Sequence, residues 1–403
     1  MQLRWLCGCI VLITFFQQVT AQTVFTDTWQ PLDYGDSVRM RIPHQKANNN
    51  LDAIFFDNQY FIAFRSAPNH FPGKKVHLHI LRSADRVHWQ LDTTVFVGAD
   101  LREPRFVVFK NRLYLYFFQG GKFPFSFSPR KIWCMSLSKT HWNNATDIQL
   151  NGYVPWRLHS FKDTLFLSAY FGKNLYRYSH VGSLRIFWSI DGINFSKISE
   201  IPQIETKGCE EGEFVFDSLG NLWAVVRLEG SGSYLVFTEK NNISNWDEKV
   251  FSKYKYDSSL LFWHEKELYL IARQNLKVQK GRIWKNSGND KFIANQATEV
   301  EIPTRCQRKR NLLKFSFSKK RTAIFHINQK EKSIEFVRDF PSTGDNSFAA
   351  IVPLPDGSYW LLNYSSNIFG HKKNWIRGQL GRTFIYQTRI IIKNPSENLP
   401  NYK

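Results

Sequence analysis

The sequence predicts an all-β chain folded as a six-bladed β-propeller, and three observations carry this. Aromatic residues make up 16% of the 403 residues, with Phe alone at 35, and flat side chains suit pleated, half-buried surfaces. Helical periodicity is scarce. A hairpin-like unit recurs six times, and a unit of that size cannot bury its own faces, so stacking is required. Six such units close into a ring of four-stranded blades, which protects the strand edges.

The chain opens on a segment outside that fold. Arg4 supplies a positive start, Trp5–Phe16 an apolar stretch and Val19-Thr20-Ala21 a small-residue cleavage site. That order reads as a cleavable secretory signal over residues 1–21. A single domain over 22–403, secreted or periplasmic, is expected to follow. It keeps Cys134, Cys209 and Cys306, which allow at most one intramolecular disulfide. The six units begin at Leu51, Arg102, Val154, Glu211, Asp257 and Asp345, about 50 residues apart over the first five. In each, a short apolar run, a turn and an aromatic-rich strand follow one another. The wider gap before Asp345 predicts an insertion in blade five around residues 275–340. It holds a basic stretch, 305–321, whose mixture of charged and apolar side chains predicts a strand with one solvated face. Between the hairpins, Ser83-Ala-Asp85-Arg-Val-His-Trp89 and Ser189-Ile-Asp191-Gly-Ile-Asn-Phe195 share the pattern S-x-D-x-x-x-aromatic. Ser136-Leu-Ser138-Lys-Thr-His-Trp142 keeps the spacing without the Asp. Such a segment is a β-turn whose Asp and Ser side chains bond the turn amides while the aromatic plugs the sheet edge.

These turns resemble the Asp-boxes of the sialidase superfamily, six-bladed propellers that act on terminal sialic acids. The resemblance in blade layout spans most of residues 45–390. It implies three arginines that clamp the sugar carboxylate, an Asp acid/base, and a Tyr nucleophile activated by a Glu. Glu211 and Arg227, which bracket EGEFVFDSLGNLWAVVR, are similar in spacing to the family's Glu-to-Arg segment. Arg65 and Arg273 end the hairpins of blades one and five in the same way and are further clamp candidates. The loop after Arg65, SAPNHFPGKK, has no acid where the resemblance implies one, which leaves His70 as a substitute proton donor. Phe348 stands where the nucleophilic Tyr is implied. Arg41-Ile-Pro43 resembles the family's R-I-P signature but lies ahead of the first strand.

Asp100-Leu-Arg102-Glu103-Pro-Arg105 is the densest charged motif in an apolar neighbourhood. At the start of the innermost strand of blade two, Arg102 and Arg105 suit substrate binding. Asp100 or Glu103, with Glu211, makes the carboxylate pair that glycoside hydrolysis needs. A net charge of +20 favours polyanionic partners. No nucleic-acid motif, metal-ligand spacing or uninterrupted apolar run of ~20 residues occurs. The expectation is therefore an acidic glycan as partner, no nucleic acid, no metal or other cofactor, no integral membrane segment, and a monomer. The reading is an exported exo-glycosidase acting on a terminal acidic sugar. A non-catalytic propeller that binds acidic carbohydrate is the alternative. A five-bladed furanosidase-type propeller is a third reading, disfavoured by the six hairpins.

Overall fold

A computed structural model describes residues 23–124, 127–172, 181–275 and 304–393. The proposed secretory signal and part of the blade-five insertion lie outside these residues. The chain forms six antiparallel sheets of four or five strands, each a blade. The innermost strands, in chain order, are Ala47–Phe56, Leu101–Phe109, Tyr153–Phe161, Cys209–Phe216, Asp257–His264 and Asn346–Pro353. Each turns directly into a second strand: Gln59–Ala67, Arg112–Gln119, Thr164–Phe171, Leu222–Leu228, Glu267–Asn275 and Tyr359–Ser366. These are the six predicted hairpins, and six blades exclude the five-bladed reading.

The hairpins form because their turns match the twist of their strands. Asp57-Asn58 and Lys110-Asn111 hold φ of +49, +57, +48 and +56, the left-handed pair that joins two strands in two residues. The ring is closed by the chain's own beginning. Thr23–Thr26 pairs with Ile390–Lys393 as the outermost strand of blade six. Thr383, in the same blade, receives the Asn48 N–H on its hydroxyl (2.9 Å) and returns a bond to the Asn48 carbonyl (3.0 Å) in blade one.

Two sequence expectations need correction. The basic stretch is not a strand: Arg305–Ser316 is a helix, followed by strand Lys320–Asn328. Thr304 and Gln307 form a reciprocal capping box, the Gln307 N–H donating to Thr304 Oγ1 at 3.3 Å and the Thr304 N–H to Gln307 Oε1 at 2.6 Å. That T-x-x-Q start nucleates a helix whatever the charge pattern beyond it. The turn aromatics, in turn, do more than plug their own sheet edge, although Trp142 also packs on Phe106 of its own blade. Trp89 of blade one stacks on Trp360 of blade six at 5.9 Å, Trp142 of blade two meets Phe61 of blade one, and Phe195 of blade three meets Tyr116 of blade two. Each bolts its blade to the preceding one.

The turns carrying these aromatics are built as predicted. Asp85 Oδ1 accepts the Val87 and His88 N–H groups at 2.8 Å, and Asp191 Oδ1 those of Ile193 and Asn194 at 2.8 Å. Cys134 and Cys209 are buried in blades two and four, Cys306 is exposed on the helix, and no two of them are bonded.

Candidate functional site

In each hairpin the innermost strand begins beside the end of the second strand. Asn49 faces Arg65, Arg102 faces Phe118, Asp257 faces Arg273, and Asn346 faces Ser365. These ends therefore gather on one rim of the central opening. Just inside that rim every innermost strand carries a bulge: between Asn49 and Leu51, Arg102 and Arg105, Pro155 and Arg157, Cys209 and Gly212, Asp257 and Leu260, and Ser347 and Ala350. Asn50, Glu103, Ser258 and Phe348 occupy matching bulge positions at φ of +44, +53, +52 and +51. Residues with side chains avoid these values, and a bulge re-aims what it carries. The consequence is convergence on the axis. Trp156 and Phe348, from blades that lie opposite, approach to 5.5 Å between ring centroids. The guanidinium of Arg105 lies over both rings, at 4.9 and 5.4 Å.

Around this centre stand three groups of charged side chains. The first joins blades one, two and six. Arg65 is fully buried and spends all its N–H groups within the protein: on Asp100 Oδ1 from Nε and Nη2 (2.9 Å each), Asn49 Oδ1 (3.2 Å), and the carbonyls of Asn69 (3.2 Å) and Phe71 (3.0 Å). The other oxygen of Asp100 takes Nε of Arg102. Arg102 also donates to the His70 carbonyl at 2.5 Å and reaches His70 Nε2 at 3.4 Å. On its other side His70 Nδ1 meets Asp345 Oδ2 at 2.7 Å. A neutral imidazole with its proton on Nδ1 satisfies both neighbours. Burial agrees, pulling the His70 pKa down against the opposing pull of Asp345.

The second group lies on the axis. Glu103 Oε1 accepts from Asn50 Nδ2 at 3.1 Å, while Oε2 is buried without a hydrogen bond, 3.5 Å from Arg105 Nη2, itself without one. Burial, reinforced by Glu211 and opposed by Arg105, raises the Glu103 pKa to about 7. Arg105 gives its Nε proton to the Trp156 carbonyl at 2.5 Å. Beside them Arg157 donates to Glu213 at 2.7 Å and lies 3.9 Å from Asp52.

The third group joins blades four and five. Arg227 is held by Glu211 and Glu229 and lies 3.3 Å from Glu210. Glu211 Oε2 also accepts the Ser258 N–H at 2.7 Å, a bond that the left-handed bulge makes possible. Lys255 bonds Glu229 at 2.9 and 3.0 Å, and Arg273 bonds Asp257 at 2.6 Å and the Asn346 carbonyl at 2.9 Å. Burial raises Glu210 to about 8.

Every residue proposed from the sequence thus lies on the same rim or just inside it. Asp100, Arg65, Arg102 and His70 form one network, Glu103 and Arg105 a second, Glu211 and Arg227 a third. Arg273 is set against Asp257. Arg41 is exposed, after the short helix Gly35–Arg39. Sequence reasoning passed over Asp345, Asp257, Lys255, Arg157 and Tyr364. Asp257 and Asp345 stand at the starts of repeat units, and that shared acidic start was the available signal. Tyr364, on the second strand of blade six, donates its hydroxyl to Asp345 Oδ1 at 3.1 Å. Burial first, then Asp345, hold its pKa well above the ordinary phenol value.

No protein-family model and no curated protein sequence matches this chain. Its fold does have counterparts. A Dyadobacter fermentans protein of unknown function superposes with a TM-score of 0.63 at 10% identity, over 92% of this chain and 99% of that one. Trypanosoma rangeli sialidase, in complex with sialic acid, superposes with a TM-score of 0.52 at 9% identity, over 85% of this chain and 54% of that one. The endosialidase of phage phi92 gives 0.52 at 12% identity, over 95% and 71%. The fold is a six-bladed β-propeller similar to those of these sialidases. At these identities the likeness extends to the fold alone, and the chain spans about half the length of the trypanosomal enzyme. No helix among the described residues is long and apolar enough to cross a membrane.

Proposed function

We propose that this is an exported glycoside hydrolase that acts on a terminal acidic sugar at the rim of its central opening. The observation that carries the reading is Glu103. Its pKa stands at about 7, and one of its oxygens is buried without a hydrogen bond beside Arg105. Glu211 contributes to raising that pKa, so the two carboxylates feel one another across the opening. Glycosidases need such a pair, one carrying a proton and one not. Glu103 is the proton donor to the leaving glycosidic oxygen. Glu211, whose oxygens accept from Arg227 and the Ser258 N–H, is the partner carboxylate that serves as base or nucleophile. Arg105, fully buried between the Trp156 and Phe348 rings with its Nη2 3.5 Å from Glu103, is the charge partner of the ionised acid and not a direct ligand of the sugar. Asp100 is engaged by two arginines, which favours Glu103 over Asp100 as the acid. Arg65 and Arg273 then orient their neighbours, and His70, wedged between Asp345 and Arg102, is a positioning residue. Sialidase-like propellers supply the precedent for an acidic sugar, and the signal-like N-terminus supports export.

A specific observation favours a second reading, a propeller that binds acidic glycan without turnover. Phe348 replaces the expected tyrosine, and the rim arginines Arg65, Arg102, Arg227 and Arg273 are each already matched with a carboxylate. One experiment separates the two. The protein is incubated with sialylated and uronic-acid oligosaccharides, and released monosaccharide is read by mass spectrometry for the native chain, Glu103→Gln and Glu211→Gln. Release that falls at least about a hundredfold in both variants supports the hydrolase. Release undiminished in either variant removes that residue's assignment. Binding without release in the native chain establishes the second reading.

A further inference from the structure

Blades four and five meet beneath helix Arg305–Ser316 around a cavity of about 590 Å³. This is the volume range of small-ligand sites. The helix is seated on purpose-built backbone. Asn311 donates to the Gly230 carbonyl at 2.9 Å and Arg308 to the Glu229 carbonyl at 3.2 Å. A Cβ on Gly208, where φ is +81, would come within 2.7 Å of the Arg308 guanidinium. Phe315, at the helix end, is clasped by two ammonium groups, Lys255 at 3.2 Å and Lys320 at 3.5 Å from its ring centre.

The lining combines three kinds of group. Tyr254, Tyr256 and Phe315 present aromatic surface, and Asn311 an amide. Tyr256 is buried with its hydroxyl beside Ser252 but completing no hydrogen bond. Among the described residues the lining cations are Lys253, Lys255 and Lys314, against one acid, Glu229. Glu229 is consumed by Arg227 and Lys255, whereas Lys253 and Lys314 form no ion pair among the described residues and are exposed at the cavity's edge. Aromatic faces suit the C–H faces of a sugar ring, the amide and phenol suit its hydroxyls, and the two lysines favour an anion.

We infer that this cavity, which shares Glu229 and Lys255 with the charged group around Arg227 but is lined by neither Glu103 nor Glu211, is a second binding site for an anionic sugar: a sugar acid or a sugar phosphate. The full chain is titrated by calorimetry with D-glucuronate, D-glucose 6-phosphate and D-glucose, alongside Lys253→Gln/Lys314→Gln and Glu103→Gln. The expected result is binding of one or both anions, roughly tenfold or more weakened in the double-lysine variant, with no comparable binding of glucose. Which anion binds identifies the source of the charge. Unfolding midpoints matching the native chain show that the double variant is folded. Three results would each overturn the site: no binding of either anion, equal binding in the double-lysine variant, or loss of binding in Glu103→Gln, which would move the ligand to the axis. None depends on turnover at the axis, so the site and the hydrolase reading fail independently.

Discussion

Glu103 is where the chemistry of single residues is most exposed to test. Burial lifts its pKa from 4.5 to about 7, so the folded protein binds this proton more tightly than the unfolded chain does. The stability it contributes is full below about 4.5 and is lost as pH rises through about 7. Glu103→Gln imposes the neutral form at every pH. Its unfolding free energy in urea should match the native one at pH 4 and exceed it at pH 8, by up to about 3 kcal/mol. Catalysis should follow the same proton: kcat/KM of the native chain should fall with an apparent pKa near 7, the proton donor being lost above it. A flat profile through that range would assign the proton to another group. Tyr364 is likewise held in its protonated form. Its bond to Asp345 and its raised pKa keep it a phenol, so it is no replacement for the nucleophile that Phe348 does not supply.

At the scale of the strand, the repeated bulge is the device that turns six β-hairpins into a polar rim. Ser258 shows why the strained backbone is retained. At φ +52 its N–H reaches Glu211 Oε2, holding one carboxylate of the proposed pair. Ser258→Gly accepts that conformation and should leave the unfolding midpoint within about 1 kcal/mol of native. Ser258→Val does not, and should destabilise by about 1–3 kcal/mol while lowering any activity that depends on Glu211. Equal stability of the two variants would mean that the bulge carries no strain. The helix Arg305–Ser316 makes the complementary point. Its strand-like charge pattern is overruled by a capping box of two residues, because local hydrogen bonds at a helix start decide nucleation.

For the whole molecule, the blades are held by two kinds of fastening, one between neighbours and one closing the ring. Trp89, 4% exposed, stacks on Trp360 across the junction of blades one and six. Trp89→Ala should destabilise by about 3–5 kcal/mol, the range for a buried aromatic truncated without repacking, as read from denaturant unfolding. The second fastening is Thr23–Thr26 on the last strand of blade six. A chain beginning at Asp27 leaves Ile390–Lys393 as an unpaired edge, while Gln30–Pro31 still pairs with Tyr386 and Gln387. It should melt earlier and associate on concentration, measured by light scattering, since an open edge is a template for pairing. Unchanged melting would show that the other contacts between blades six and one close the ring without it.

The six hairpins, their turns and the two Asp-bearing turns were legible in the sequence because each is local: a few residues whose backbone preferences and apolar alternation decide the outcome. So were Glu103, Arg105, Glu211 and Arg227, since charged residues at the ends of apolar runs stand out. What each turn aromatic packs on was not legible, because that is settled by the blade next door. Nor was it legible that Asp100 would be taken up by Arg65 and Arg102 while Glu103 kept an oxygen without a hydrogen bond. Asp345 meets His70 across 275 residues of chain, and Trp156 meets Phe348 from the opposite blade. The sequence by itself determined a six-fold repeat and the charges that stand at its rim. Only ring closure decided which of those charges neutralise one another and which remain available, because burial and long-range pairing set the state of each.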